Sequence, residues 1–179
     1  MGVKEHESRR DRAFDEFAAS AWPRLRWTAY LLSGDHHLAE DLAQTALVKT
    51  YAAWRRVRPG EAYSYARRTL VNTNIDRLRR RRFREVADDG HDASAHRVEG
   101  RTGDQTEGVD DADLIVRLLS RLSERERRIL VLRHYWDLSE AAVADELGIS
   151  IGTVKSTTSR ALAKVRETHP ELVSTRGLS

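Results

Sequence analysis

Six residues, Ser150, Thr153, Lys155, Ser156, Ser159 and Arg160, fall away from the apolar line of Val154 and Ala161 when the stretch is drawn as a helix. The chemistry such a face performs is recognition. Short hydroxyls permit close approach to a ligand, and Lys155 and Arg160 take phosphates or guanine edges, each good bidentate base contact being worth about 1 to 3 kcal/mol. A solvated helix face has the same look, so the neighbouring elements must decide. A second concentration of charge is Arg77, Arg79, Arg80, Arg81, Arg82 and Arg84. These like charges repel one another unless a polyanion neutralises them, whereas complementing a helix dipole needs only two.

The first face is placed by a helix-turn-helix pattern. Val143, Ala144 and Leu147 recur at helical spacing, Gly148 suits a left-handed C-cap, and only a small residue fits Ala144 where two helices cross. Ser150 is an N-cap, and nothing breaks the helix from Ile151 to about Glu167, a length of about 25 Å that crosses a major groove. Upstream, Leu114, Ile115, Leu118, Leu119 and Leu122 line a short helix. Ser123 to Glu126 is a capping box that opens the next, with Ile129, Leu130, Leu132 and Tyr135 inward. Thr157 stands where such motifs more often carry a bulky aliphatic, which predicts looser packing there.

The arginine run ends a long helix in the other half of the chain. Phe14, Phe17, Ala18, Ala21, Leu25, Thr28, Ala29 and Leu32 predict a first amphipathic helix to about Ser33, with Pro23 kinking or interrupting it. A second helix is expected from about His36 to Val57. It buries Leu38, Leu42, Ala46 and Ala53 and leaves Asp41, Gln44, Thr45 and Val48 outside. A third begins near Ala62, its apolar line being Tyr65, Leu70 or Val71, Ile75 and Leu78. Trp22, Trp27, Trp54 and Trp136 are expected to anchor cores.

The chain has 179 residues and a net charge of +3. From Glu85 to Asp113, ten carboxylates and two arginines make a segment of -8, leaving +11 on the flanks. Two polyanion-binding modules joined by an acidic tether fit this distribution. The tether, 85–111, is rich in Asp, Gly, Ser and Thr, without aromatics, and reads as flexible. Its roughly 28 residues span about 30 Å as a coil and up to about 95 Å extended. The expected organisation is all-α, with two small helical domains, 10–84 and 112–170, on either side.

Several function classes find no support. There is no cysteine, which excludes disulfides, thiolate metal sites and a cysteine nucleophile. His36-His37 and the pair His91, His96 have no well-spaced partners for a metal, Asp110-Asp111-Asp113 reads as solvated, and no glycine loop or nucleophile motif is present. The expectation is therefore no catalytic residue, no metal and no cofactor. No apolar run approaches the roughly 20 residues of a membrane span, and MGVKEHESRRDR has no signal-peptide core, so a cytoplasmic protein without membrane insertion is expected.

Three strings carry a resemblance to a known family. LSERERRILVLRHYWDLS from Leu122, GTVKS from Gly152, and the basic exit Arg160, Lys164, Arg166 resemble the DNA-binding carboxy-terminal domain of extracytoplasmic-function (ECF) RNA polymerase sigma factors. Response-regulator output domains have a similar pattern. The amino-terminal half separates the two: GDHHLAEDLAQTALVKTYAAW, Gly34 to Trp54, resembles the family's polymerase-binding helix. AYSYARRTLVNTNIDRLRRRR, Ala62 to Arg82, resembles its promoter-melting and -10-reading helix. With FDEFAASAWPRLRWTAYLLSGD, the resemblance covers residues 12–84 and 112–168 and is nearest a sigma-E-like subgroup.

The resemblance implies a division of labour. Asp41, Leu42, Gln44, Thr45 and Val48 would dock on the clamp helices of the polymerase beta-prime subunit, although Asp41 and Gln44 also suit the wet side of any helix. Tyr63, Arg67, Asn72, Arg77, Arg79, Arg80 and Arg81 would serve the -10 element. Within that set Tyr63 is a stacking candidate for a flipped base, and Asn72 reads a base edge or caps a kink. Ser150, Thr153, Lys155, Ser156, Ser159 and Arg160 would read the -35 element. The implied partners are core RNA polymerase, through its clamp helices and beta flap, promoter DNA and an anti-sigma factor. The alternative is a stand-alone helix-turn-helix regulator binding duplex operator DNA, with the front half as sensor or dimerisation module.

Overall fold

The computed structural model describes residues 2–88 and 111–168, and every regular element among them is helical. The chain divides into two compact units, Met1–Ala95 and His96–Ser179. Most of the expected tether, residues 89–110, lies outside the described residues together with His91, His96 and Asp110, as does the end of the expected second domain, 169–170.

The first unit is three helices: α1, Gly2–Ser33; α2, His36–Ala53; and α3, Ala62–Asp88. Gly34, at φ 71°, ends α1 and returns its N–H to the Tyr30 carbonyl at 2.8 Å. Asp35 then caps α2, its Oδ1 accepting from Leu38 N at 2.9 Å. Alanines make the close approaches and leucines fill between them: Ala21, Leu25 and Ala29 of α1, Ala39, Leu42, Ala43 and Ala46 of α2, and Ala62, Ala66, Leu70 and Val71 of α3 are all buried.

Three expectations change in this unit. α1 runs unbroken through Pro23, which sits on the exposed side, where water can satisfy the carbonyl one turn back that loses its donor. α2 stops at Ala53, four residues before Val57: Trp54 N bonds the Tyr51 carbonyl at 3.0 Å in a tighter closing turn, and its ring meets Phe14 and Phe17 with centroids at 5.2 and 5.1 Å. A short 3-10 turn, Pro59–Glu61, leads into α3. The inward line of α3 is Ala62, Ala66, Leu70, Val71 and Asn74, so Tyr65 stands outside at 38% exposure, while Ile75 and Leu78 are half-buried.

The second unit holds α4, Asp111–Ser120; α5, Glu124–Leu130; α6, Glu140–Leu147; and α7, Ile151–Thr168. The capping box forms: Ser123 Oγ accepts from Glu126 N at 3.3 Å and Glu126 Oε2 accepts from Ser123 N at 2.9 Å. Arg127 closes the other side of the joint, its guanidinium donating to the carbonyls of Leu119, Ser120 and Leu122 at 2.9, 3.2 and 3.4 Å. It is 7% exposed and satisfies carbonyls at the end of α4 and in the turn that follows.

After α5 the chain winds one wider turn, Val131–Tyr135, in which Trp136 N reaches the Val131 carbonyl at 3.2 Å. The extra residue rotates the chain beyond it, so Trp136 enters the core at 7% exposure and Tyr135, expected there, is only half-buried. Ser139 caps α6 through Ala142 N at 3.1 Å, and Gly148, at φ 62°, ends it. Ser150 caps α7 through Thr153 N, also at 3.1 Å. Val154, Thr157 and Ala161 form its inward line. Thr157, at 3% exposure, is buried on that line.

Candidate functional site

On α2, Asp41, Gln44 and Val48 are exposed and Thr45 is half-buried, one turn after another along the same side. Val48 is a large aliphatic held 69% exposed between polar neighbours. Leu42, expected with them, is 3% exposed: it points the other way and holds the helix against the core, out of the exposed stripe.

Two features stand out among the side chains of the three helices, an aromatic cluster that joins α1 to α2 and α3 and a groove lined from α2, the turn after it and α3. Tyr63 belongs to an aromatic cluster, its ring edge-on to Phe17 at 5.2 Å and its hydroxyl 3.0 Å from Ser20 Oγ. Phe14, Trp54 and Tyr51 continue the cluster, and Asp11 Oδ1 accepts from the Tyr51 hydroxyl at 3.0 Å. Beside it lies an open groove of about 460 Å³ whose lining includes Lys49, Arg56, Tyr65, Asn72 and Asp76. Lys49 Nζ donates across it to Thr73 Oγ1 at 3.0 Å. Spacing alone puts Tyr65 on the buried line; the small residues Ala62 and Ala66 are the signal that the inward line runs elsewhere.

The structure sorts the expected -10 set by exposure. Asn72, Arg79 and Arg80 are exposed, and Arg77 and Arg81 are half-buried. Arg67 is 8% exposed, so its guanidinium is removed from the outer face and sits within the unit. Arg77 donates through Nε and a terminal nitrogen to Asn74 Oδ1, both at 3.3 Å, which accounts for the buried asparagine. Arg80 Nε bonds the Asp76 carbonyl at 3.2 Å, and Arg81 pairs with Glu85 at 2.6 Å. The cations from Arg77 to Arg81 thus cluster within little more than one turn of α3 and spread around it, Arg79 standing on the side opposite Arg77.

In the second unit, α7 presents Ser150, Lys155, Ser156, Ser159 and Arg160 to solvent, with Thr153 half-buried. Ser150 Oγ and Thr153 Oγ1 lie 2.9 Å apart, and Arg160 Nε donates to the Ser156 carbonyl at 3.2 Å. Lys155 Nζ lies 3.6 Å from Glu140 Oε2, at the start of α6. Farther along, Lys164 Nζ donates to Glu126 at 2.7 and 2.9 Å and ties α7 to α5. Burial pushes the Glu126 carboxyl up, but bonds from Lys164, Ser123 N and Ser123 Oγ outweigh it and hold the group below the ordinary glutamate value. Desolvation lowers the pKa of Arg127, and it lowers that of His134 with help from Arg133 and against Asp137. Neither link of α7 to its support is visible as a motif.

This arrangement, a helical unit with a polar-apolar stripe and a basic helix plus a second unit with an outward recognition helix, defines a DNA-binding protein of two modules. Family comparison agrees in detail. Sigma-70 region 2 matches residues 19–84 and Sigma-70, region 4 matches residues 112–165. The RNA polymerase sigma-E factor of Streptomyces avermitilis is 38% identical over 155 residues, covering 86% of this chain and 83% of that one. The ECF RNA polymerase sigma factor SigL of Mycobacterium tuberculosis is 34% identical over 170 residues, covering 91% and 90%. Among solved structures, the sigma factor RpoE of Bartonella quintana, in complex with the anti-sigma factor NepR, matches with a TM-score of 0.70 and 29% identity over 88% of this chain and 97% of that one.

The chain belongs to the ECF group of the sigma-70 family of RNA polymerase sigma factors. It directs core RNA polymerase to specific promoters through their -35 and -10 elements and initiates transcription by promoter melting. The stand-alone regulator is not favoured, because a sensor or dimerisation module does not stand where region 2 is found.

Proposed function

We propose that the two units divide this work residue by residue, over 10–84 and 112–170, with 85–111 as the tether. Asp41, Gln44, Thr45 and Val48 dock on the clamp helices of the beta-prime subunit, and Leu42 supports them from the core. The cluster Arg77, Arg79, Arg80 and Arg81 meets the phosphates at the -10 element, with Asn72 and the groove beside it facing the opened strand and Tyr63 and Arg67 acting from within the unit. Ser150, Thr153, Lys155, Ser156, Ser159 and Arg160 meet the -35 duplex. The second unit also contacts the beta flap. The chain has no catalytic activity of its own: binding to unpaired bases offsets unstacking, so opening needs no nucleotide hydrolysis. It works in the cytoplasm; among the described residues no helix is long and apolar enough to cross a membrane. An anti-sigma factor binds it and holds it inactive, a reading supported by the complex of the Bartonella sigma factor with the anti-sigma factor NepR.

The observation that carries this reading is the outward side of two separate helices: Val48, 69% exposed on α2, and the hydroxyl and cation face of α7. A photo-crosslinking residue at Val48 is expected to mark the largest polymerase subunit, and one at Ser156 to mark the -35 duplex, in a complex that gives discrete run-off transcripts. Val48 labelling DNA, or Ser156 labelling only protein, would overturn the assignment.

A further inference from the structure

The recognition face of α7 has an acid at its edge. Glu140, the first residue of α6, reaches across the turn so that Oε2 lies 3.6 Å from Lys155 Nζ, with Glu140 34% and Lys155 64% exposed. The surrounding outward groups are neutral hydroxyls, Ser150, Thr153, Ser156 and Ser159, and Arg160 is bent back onto its own helix at the Ser156 carbonyl. A carboxylate beside the cation that meets a polyanion is repulsive toward phosphate, so its presence costs affinity for any duplex. The same carboxylate does not repel the neutral O6 and N7 acceptors of guanine.

We propose that Glu140 is a specificity-determining residue of the -35 reader, acting through Lys155. A lone ammonium is a generic phosphate clamp. Paired with Glu140, Lys155 gains little from a backbone phosphate, whose charge meets the carboxylate as well. A base edge takes the ammonium's donors without that penalty. Glu140 thus lowers non-specific duplex binding more than specific binding and raises the ratio between them, which is discrimination by a built-in repulsive element. The inference rests on the assignment of α7 to the -35 duplex.

The test uses holoenzyme reconstituted from core RNA polymerase and the full chain, with binding measured to a -35 duplex from a mapped promoter and to a random duplex across a salt series. E140Q is expected to steepen the log-log salt slope on the random duplex by about 0.9, one added phosphate contact. Between about 50 and 200 mM salt that is about threefold more affinity lost than by the parent. Its preference for the -35 duplex falls, Glu140→Ala moves both readouts the same way, and in a K155A background E140Q changes neither. An unchanged slope and ratio, equal loss on both duplexes, or a full effect without Lys155 would overturn the proposal. A parent holoenzyme that shows no preference for its own -35 duplex removes the recognition surface and this role with it. A parent that discriminates while E140Q matches it removes only the role of Glu140.

Discussion

In the amino-terminal unit several residues expected to meet a partner are tied into the fold: Tyr63 is held by Phe17 and Ser20, Arg67 is buried, and Arg77 is bonded to Asn74. In the carboxy-terminal unit the expected readers other than Thr153 stand in solvent, and two polar side chains that fix the helices, Arg127 and Glu126, are buried. The first unit has a close-packed core of alanine and leucine to set its three long helices. The second is smaller, with helices as short as seven residues, and needs hydrogen-bonded joints to aim its longest one. Substitutions at equally buried positions should therefore fail by different routes in the two units.

The largest effects sharpen this contrast. Leu42→Ala empties space in an apolar core and is expected to cost about 3 kcal/mol. Arg127→Ala removes the guanidinium donors to the carbonyls of Leu119, Ser120 and Leu122 at and just after the end of α4, of which that of Leu119 keeps Leu122 N, and is expected to cost about 2 to 3 kcal/mol. Hydrogen exchange read by mass spectrometry should show the first loss over residues 10–86 alone and the second over 113–167 alone. Protection falling across both units in either variant would break the separation.

Acid should find the second unit first. The Glu126 pKa is lowered by folding, so its contribution is complete above the ordinary glutamate value, about 4.3, and fades as pH falls through the lowered value. Glu126→Gln is expected to cost about 1 kcal/mol at neutral pH and to flatten the stability of this unit below about pH 4. Denaturant titrations at several pH values check this; a parallel pH profile for parent and variant would remove Glu126 from the joint.

The smallest effect separates packing from chemistry at Tyr63. Tyr63→Phe gives up only the hydroxyl contact with Ser20 and is expected to cost about 0.5 kcal/mol or less while leaving permanganate-detected promoter opening intact. Strong loss of opening with unchanged stability would put the hydroxyl on the DNA.

Legibility in the sequence depends on chain geometry. Around α6 and α7 each local signal, Ser150 as cap, Gly148 as a left-handed stop and Val154 and Ala161 as the inward line, points one way, and the structure has each in that place. In α2 and α3 the register is harder to read. Alanines carry the inward line, so larger neighbours such as Tyr65 imitate the buried face, and Leu42 looks equally suited to core or partner. Contacts distant in sequence leave no trace: Lys164 meets Glu126 across 38 residues, and Lys155 and Glu140 are joined only because the turn at Gly148 brings them together. The wider turn at Val131–Tyr135, which leaves Tyr135 only half-buried while Trp136 takes the core place expected of it, has no sequence signal at all.

The separation of tasks is tested most directly by measuring core-polymerase affinity and -35 duplex binding for two double variants side by side. D41A with V48A is expected to weaken polymerase association by about tenfold or more while duplex binding, measured once the complex is saturated, is unchanged. K155A with R160A is expected to weaken duplex binding by about 10- to 100-fold with polymerase association unchanged. Both pairs losing the same function would contradict the account.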